Sequence, residues 1–268
     1  MVRFFFIIVF LSNQLLALTA LELAEHMVDD VSKQNKLRAL FDNKNYQDSN
    51  GNLDIDKITR TLKINSLIDF ALKEPATMRI SFKAKTEGIL FFKIVNDALN
   101  NSGFIYFTPI DLSLRDGNIF YQIEVQSQYI LDSGSFYNLL KQNSVFIEDV
   151  QKVGAFDYEY TLDFSKAFLK PNVNVPLNEE VVLEKPLRDY IVLLQGAKSI
   201  EITSNSMDVW FAKIIFLDQN LNLIRAVQSS TKSDKFKDFI PSGAVYAIIG
   251  DIFTLDNIRR GLTIYLKK

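Results

Sequence analysis

The chain has 268 residues, 48% of them hydrophobic, with 30 basic and 32 acidic side chains, one histidine and no cysteine. Near-balanced charge gives no electrostatic drive toward nucleic acid or anionic lipid. The missing thiols exclude disulfides and cysteine nucleophiles, and the single histidine excludes multi-histidine metal sites.

The first twenty residues, MVRFFFIIVFLSNQLLALTA, read as a secretory signal. Arg3 is the positive start, Phe4 to Leu11 the apolar core, and Ala17 to Ala20 the small-residue exit. A retained anchor over 4–24 would carry Ser12, Asn13, Gln14 and Glu22 into hydrocarbon, so no stable membrane anchor is expected. The expected location is the periplasm, as a soluble chain after cleavage. Such a chain, lacking disulfides, must draw its stability from its core, and the 22 phenylalanines are available for that.

Residues 21–66 form an N-terminal helical region. The spacing of Leu23, Ala24, Met27, Val28 and Val31, then Leu37, Leu40 and Phe41, predicts one amphipathic helix over 21–43. The polar stretch DSNGNLDIDKI (48–58) precedes a second helix over 54–64. With Gly51 at position 6 of a calcium loop, Asp48, Asn50 and Asp54 stand at positions 3, 5 and 9. Tyr46 then falls at position 1 and Lys57 at position 12, where a bidentate carboxylate belongs. The competing expectation is a polar turn in which Asp54 caps the helix.

Residues 67–169 predict an α+β domain. LIDFAL (67–72) and MRISFKA (78–84) read as strands, and GILFFKIVNDALNNSG (88–103) as a helix ending at Gly103. FIYFTPIDL (104–112) and NIFYQIEVQS (118–127) form a hairpin through Asp116-Gly117. SGSFYNLLKQN (133–143) is a helix with serine as its cap. VFIEDVQK (145–152) and the alternating AFDYEYTLDF (155–164) close the domain. The order is β-α-β-β-α-β plus one strand, the ferredoxin-like pattern of an antiparallel sheet under two helices.

KPNVNVPLNEE (170–180) reads as a linker. Residues 181–268 carry only strand signals: VVLEK, DYIVLLQ, SIEITS, DVWFAKIIFLD, LNLIRAVQSS, AVYAIIG and LTIYLKK. They predict an all-β antiparallel sandwich of jelly-roll cadence, with a charged loop between Ser229 and Pro241.

No motif nominates a catalytic residue, a cofactor or a metal. His26 lies in the first helix beside Glu25 and is expected to be exposed. Ser229-Ser-Thr-Lys232 has the Ser-x-x-Lys spacing but follows a strand. Acid pairs such as Asp29-Asp30 and Glu179-Glu180 are neighbours in sequence rather than opposed across a cleft, so a carboxylate-only hydrolase has no selected pair. The aromatic side chains are the other candidates. Most are expected in the core, but the run on the first domain's strands exceeds what two short helices cover. Tyr106, Tyr158 and Tyr160 are therefore expected interaction residues, joined by Trp210 in the longest strand of the sandwich, stacking on a partner or a sugar.

IDKITRTLKINSLIDFALKEPATMRISFKA (55–84), with FFKIVNDALNNSGFIYFTP (91–109), resembles an uncharacterised periplasmic family of ε-proteobacterial type. The resemblance implies export and brings no activity and no site residue. The expected role is a non-enzymatic interaction or scaffold protein of the cell envelope, partnered by another envelope protein. The alternative is a glycan- or cell-wall-binding protein using the C-terminal sandwich.

Overall fold

The computed structural model describes residues 18–42 and 44–268, so all but the last three residues of the expected signal segment lie outside it. Among the described residues no helix is long and apolar enough to cross a membrane.

The predicted first helix is two. Helix α1 (Ala20–Val28) ends at Asp29, whose φ of 44° is left-handed. A 3-10 turn (Val31–Lys33) and helix α2 (Gln34–Phe41) follow. The break has a local cause, because the Asp30 carboxylate accepts from the Ser32 N–H and hydroxyl and so competes with helical hydrogen bonding. At the other end of α1, the Thr19 hydroxyl accepts from Glu22 N–H while the Glu22 carboxylate accepts from Thr19 N–H. This reciprocal cap lies inside the predicted signal exit. In the full-length, uncleaved chain Thr19→Ala is expected to cost about 1 kcal/mol, a fall in Tm of roughly 2–4 °C. An unchanged melt would mean that the cap contributes nothing.

Helix α3 (Ile55–Ile64) buries Ile55, Ile58 and Leu62. Strand β1 (Ala71–Lys85), helix α4 (Gly88–Asn101), strands β2 (Thr108–Arg115) and β3 (Asn118–Tyr129), helix α5 (Ser133–Lys141), and strands β4 (Phe146–Lys152) and β5 (Asp157–Asp163) follow in the predicted sequence. They form one sheet of order β2-β3-β1-β5-β4.

Three features differ from expectation. The predicted strand 67–72 is not a strand of its own: residues 67–70 lie outside any strand, and Ala71 and Leu72 open the one strand that also holds 78–84, running through Pro75 with a bulge between Ala71 and Ala76 absorbing the missing donor. The closing strand β5 is not appended at the edge. It lies between β1 and β4, parallel to β1, and makes the sheet mixed rather than purely antiparallel. β4 suits the edge because its ladder is bulged at Glu148, whereas the unbroken alternation of β5 can satisfy neighbours on both sides. Helix α5 is capped by Asp132, whose carboxylate accepts from Ser135 N–H, rather than by a serine.

One face of this sheet buries Met78, Ile80, Phe82, Tyr121, Ile123, Tyr158, Tyr160 and Leu162 in the core with α4 and α5. Helix α1 lies against β4, and α3 against α5. The other face is charged, with Arg79 paired to Glu124 and Lys83 to Glu159 at 2.6 Å.

The C-terminal residues form β6 (Glu180–Val182), β7 (Tyr190–Leu193), β8 (Ser199–Ser204), β9 (Ala212–Leu217), β10 (Leu223–Gln228), β11 (Lys235–Phe239), β12 (Tyr246–Asp251) and β13 (Leu262–Lys267). Two four-stranded antiparallel sheets result, β10-β9-β12-β7 and β11-β8-β13-β6, and both contribute to one core around Trp210. The predicted charged loop contains β11, an edge strand whose Lys235 and Lys237 pair with Glu201. Lysines on an edge deter further pairing.

The first of these sheets, apart from its edge strand β10, is buried on both faces. Val192, Ile214, Phe216, Ala247 and Ile249 enter the Trp210 core, while Ile191, Leu193, Ile215, Leu217, Tyr246 and Ile248 pack against the N-terminal core. The unbroken apolar runs YIVLL, IIFL and YAII are the sequence expression of this double burial. β8 and β13 alternate instead, because their outer face is open.

Residues 170–180 are no loose linker. Val173 bridges Val192, Leu177 bridges Leu266, and Val175 is buried in the Trp210 core. Asn172 accepts from Ile191 N–H through Oδ1 at 2.6 Å and donates to the Asp189 carbonyl through Nδ2. Two prolines and three asparagines give an extended strap, held by side-chain and isolated backbone hydrogen bonds up to the start of β6 at Glu180.

Candidate interaction surface

The four aromatic candidates separate sharply. The predicted strand 104–112 starts only at Thr108, so Tyr106 stands on the loop after Gly103, 89% exposed, while Phe104 turns into the core. Tyr158 and Tyr160 point to the helical side of β5. Tyr160 is stacked on Phe82 with centroids 5.6 Å apart, and its hydroxyl lies 2.9 Å from Ser133 Oγ. Burial pushes both phenols up from their ordinary pKa. Trp210 has no exposed surface, and its indole N–H donates to the Gly250 carbonyl at 2.7 Å. Three of the four are therefore core residues and offer no platform to a sugar or partner. A fifth strand, with α1 and α3 beside α5, makes the cover wide enough for the aromatics that two helices alone would have left outside.

A run of exposed apolar residues lies instead along β2. This strand pairs only with β3, so its other edge has no partner strand among the described residues. Ile110, Leu112 (49% exposed) and Leu114 (54% exposed) are on it, and Ile89 stands exposed one residue after Gly88, which lies near the Leu114 side chain. Ile105 and Tyr106 extend the patch beyond Thr108. Exposed large apolar residues on a free strand edge invite strand addition from another chain. The sequence shows the alternation in Leu112-Ser113-Leu114. Edge position depends on strand order, which local pattern does not carry.

The opposite face holds an open groove of about 700 Å³ lined by Lys83, Lys85, Arg115, Phe120, Glu148 and Asp163, among others. Burial, reinforced by the Asp163 carboxylate, raises the Glu148 carboxyl above its ordinary pKa. The charges are mixed and Lys83 is engaged by Glu159, so the groove selects neither an anionic nor a cationic ligand.

The loop at 48–58 is a cap. Asp48 Oδ1 accepts from Asn50 and Asn52 N–H, and Oδ2 pairs with Lys141 Nζ at 2.7 Å. Asp54 accepts from Lys57 N–H, and the Lys57 ammonium goes to the Asn45 carbonyl and the Tyr46 ring. Both oxygens of Asp48 are thus occupied by donors. Burial alone would raise its carboxyl, but the Lys141 ammonium and the two amides outweigh that and hold it below the ordinary range. The folded carboxylate is favoured, so its stabilisation is complete above the ordinary carboxylate pKa and fades as pH falls toward the lowered one. Asp48→Asn should destabilise by about 1–2 kcal/mol at neutral pH, with the gap to wild type closing in acid. A gap that widened on acidification would contradict the assignment.

The remaining motifs are not assembled for catalysis. His26, expected to be exposed, is half-buried, and its Nδ1 lies 2.9 Å from Asp149 Oδ1, tying α1 to β4. Ser229 Oγ is bonded within its own turn to Thr231, while Lys232 pairs with Asp234. Compared with protein-family models, curated proteins and solved structures, the chain matches none, so its functional reading rests on the geometry above.

Proposed function

We propose that this chain is an exported envelope protein that acts by docking, without catalysis, and that its docking surface is the free β2 edge with the adjoining Tyr106 loop. Its architecture reads as a ferredoxin-like core with one added strand, packed on a jelly-roll-like sandwich. The carrying observation is the exposed apolar patch from Ile105 and Tyr106 through Leu114 on an unpaired strand. A rigid tyrosine beside open main-chain groups suits protein contact, since the ring gives area and its hydroxyl tolerates water. Export is supported by the signal-like first twenty residues and the resemblance to a periplasmic family. The glycan alternative relied on Trp210, which lies in the core.

Mild cross-linking of the tagged chain in cells tests the proposal. One or two dominant envelope proteins should be recovered with wild type and lost with Ile105→Glu/Tyr106→Glu, whose exposed positions leave folding intact. Recovery of the chain with cell-wall fragments alone, unaffected by the substitutions, would sink it.

A further inference from the structure

The segment Asp111-Leu112-Ser113-Leu114-Arg115 is complementary to itself when reversed. We infer that the strand added to the β2 edge is β2 of a second copy of this chain, paired antiparallel about a two-fold axis at Ser113. The inference rests on the reading of β2 as a docking strand and names what docks there.

The register follows from the hairpin. In an antiparallel ladder alternate pairs exchange hydrogen bonds. The two-residue turn Asp116-Gly117, with φ of 52° and 74°, makes Arg115 and Asn118 a bonded pair. Ser113 and Asp111 are then also directed at β3, opposite Phe120 and Gln122. The N–H and C=O groups of Leu112 and Leu114 are left facing the open edge. A second β2 centred on Ser113 places Leu112 against Leu114 of the other copy, in both halves of the pair, so all four open groups on each copy are satisfied.

The side chains agree with this register. On the helix-facing side, Leu112 and Leu114 of both copies meet, with Ile89 alongside. On the charged side, Asp111 of each copy stands opposite Arg115 of the other. Neither residue forms an ion pair within its own chain among the described residues. Opposite charges in directly facing cross-strand pairs stabilise, and like charges there destabilise. The next registers in either direction lose this match, bringing Asp111 or Arg115 against a serine or a turn residue.

The pairing has natural limits. At one end the β2–β3 ladder slips between Pro109 and Asp111, a bulge that turns the strand away, and at the other the Asp116-Gly117 turn begins. Two-fold pairing consumes both β2 edges, so the assembly closes as a dimer instead of growing into a filament. It joins two five-stranded sheets into one of ten and leaves both Tyr106 loops free for the envelope partner.

The charge pattern supplies the test. Dimer affinity of the purified full chain is measured by analytical ultracentrifugation for wild type, Asp111→Arg, Arg115→Asp and the double exchange. Each single change places like charges opposite each other twice per dimer and should weaken association about tenfold or more. The double exchange restores opposite charges and should return to within about threefold of wild type. A monomeric wild type, or a double exchange no better than the singles, overturns the pairing.

Ser113→Cys adds a check independent of affinity. Directly opposed, non-bonded residues have Cα atoms about 4.5 Å apart, inside the range a disulfide spans. The chain has no other cysteine. Oxidation should give a disulfide-linked dimer from Ser113→Cys and none from Ser127→Cys on β3. Failure of Ser113→Cys to link overturns the two-fold. If a photoreactive residue at 112 captures a different envelope protein while the chain stays monomeric, self-pairing is refuted and the docking reading survives. If position 112 captures nothing and the Tyr106 variant keeps its partners, both fail.

Discussion

Asp251→Ala is expected to remove about 3–4 kcal/mol of stability, among the largest effects of any single side chain here. The buried Asp251 carboxylate accepts four hydrogen bonds, from the backbone N–H groups of Phe211 at 2.7 Å, Phe253 at 2.8 Å and Thr254 at 3.0 Å, and from Asn257 Nδ2 at 3.0 Å. These donors lie in two segments, the entry to β9 and the loop after β12, so the carboxylate ties them together at one end of the C-terminal sheets. Truncation leaves the donors without an acceptor, and each buried donor so left costs roughly 1–3 kcal/mol, less where water can enter. Phe253 is exposed, so water reaches part of the loop and the total stays below the arithmetic maximum. Asp251→Asn should lose less, because one oxygen remains, but its amide group then faces donors. Urea unfolding midpoints measure the series, and a loss under about 1 kcal/mol for alanine would show the loop to be held by packing instead.

Trp210→Ala should be comparably severe, at about 3–5 kcal/mol. Trp210 heads the fully buried side chains and stands between the two C-terminal sheets. Its loss combines removed apolar area, a cavity and the stranded Gly250 carbonyl. Trp210→Phe separates these contributions, keeping most of the packing while removing the indole donor, and should cost roughly 1–2 kcal/mol. The same residue gives a spectroscopic test of its place. As the sole tryptophan, it should emit at short wavelength in the folded chain and shift red on unfolding. Oligosaccharide should leave the folded emission unchanged, and a shift on adding sugar would contradict the buried position.

Much of the architecture was readable from local pattern. The Asp116-Gly117 turn, the Gly103 helix end and the order of elements across 67–169 rest on short-range chemistry, which sequence carries directly. What depends on strand neighbours was not readable. β5 pairs with β1 across more than seventy residues, and nothing local distinguishes a closing edge strand from a central one. The placement of Tyr158, Tyr160 and Trp210 failed for that reason, since parity says which side chains share a face and leaves open which face is covered. Tyr106 was nominated on the same argument and is exposed for another cause, as it lies on a loop. KFKDF (235–239) was hidden because two lysines and an aspartate mask the alternation of a five-residue edge strand.

The doubly buried sheet ties the fate of one half of the chain to the other. A fragment ending near residue 170 would present helices whose cover is missing, and a fragment beginning there would carry a greasy surface of Ile191, Leu193, Ile215, Leu217, Tyr246 and Ile248. During synthesis the first half emerges before its cover exists, so an interval of exposed apolar surface is set by the layer order itself, and the halves cannot be traded independently between proteins the way autonomous modules are.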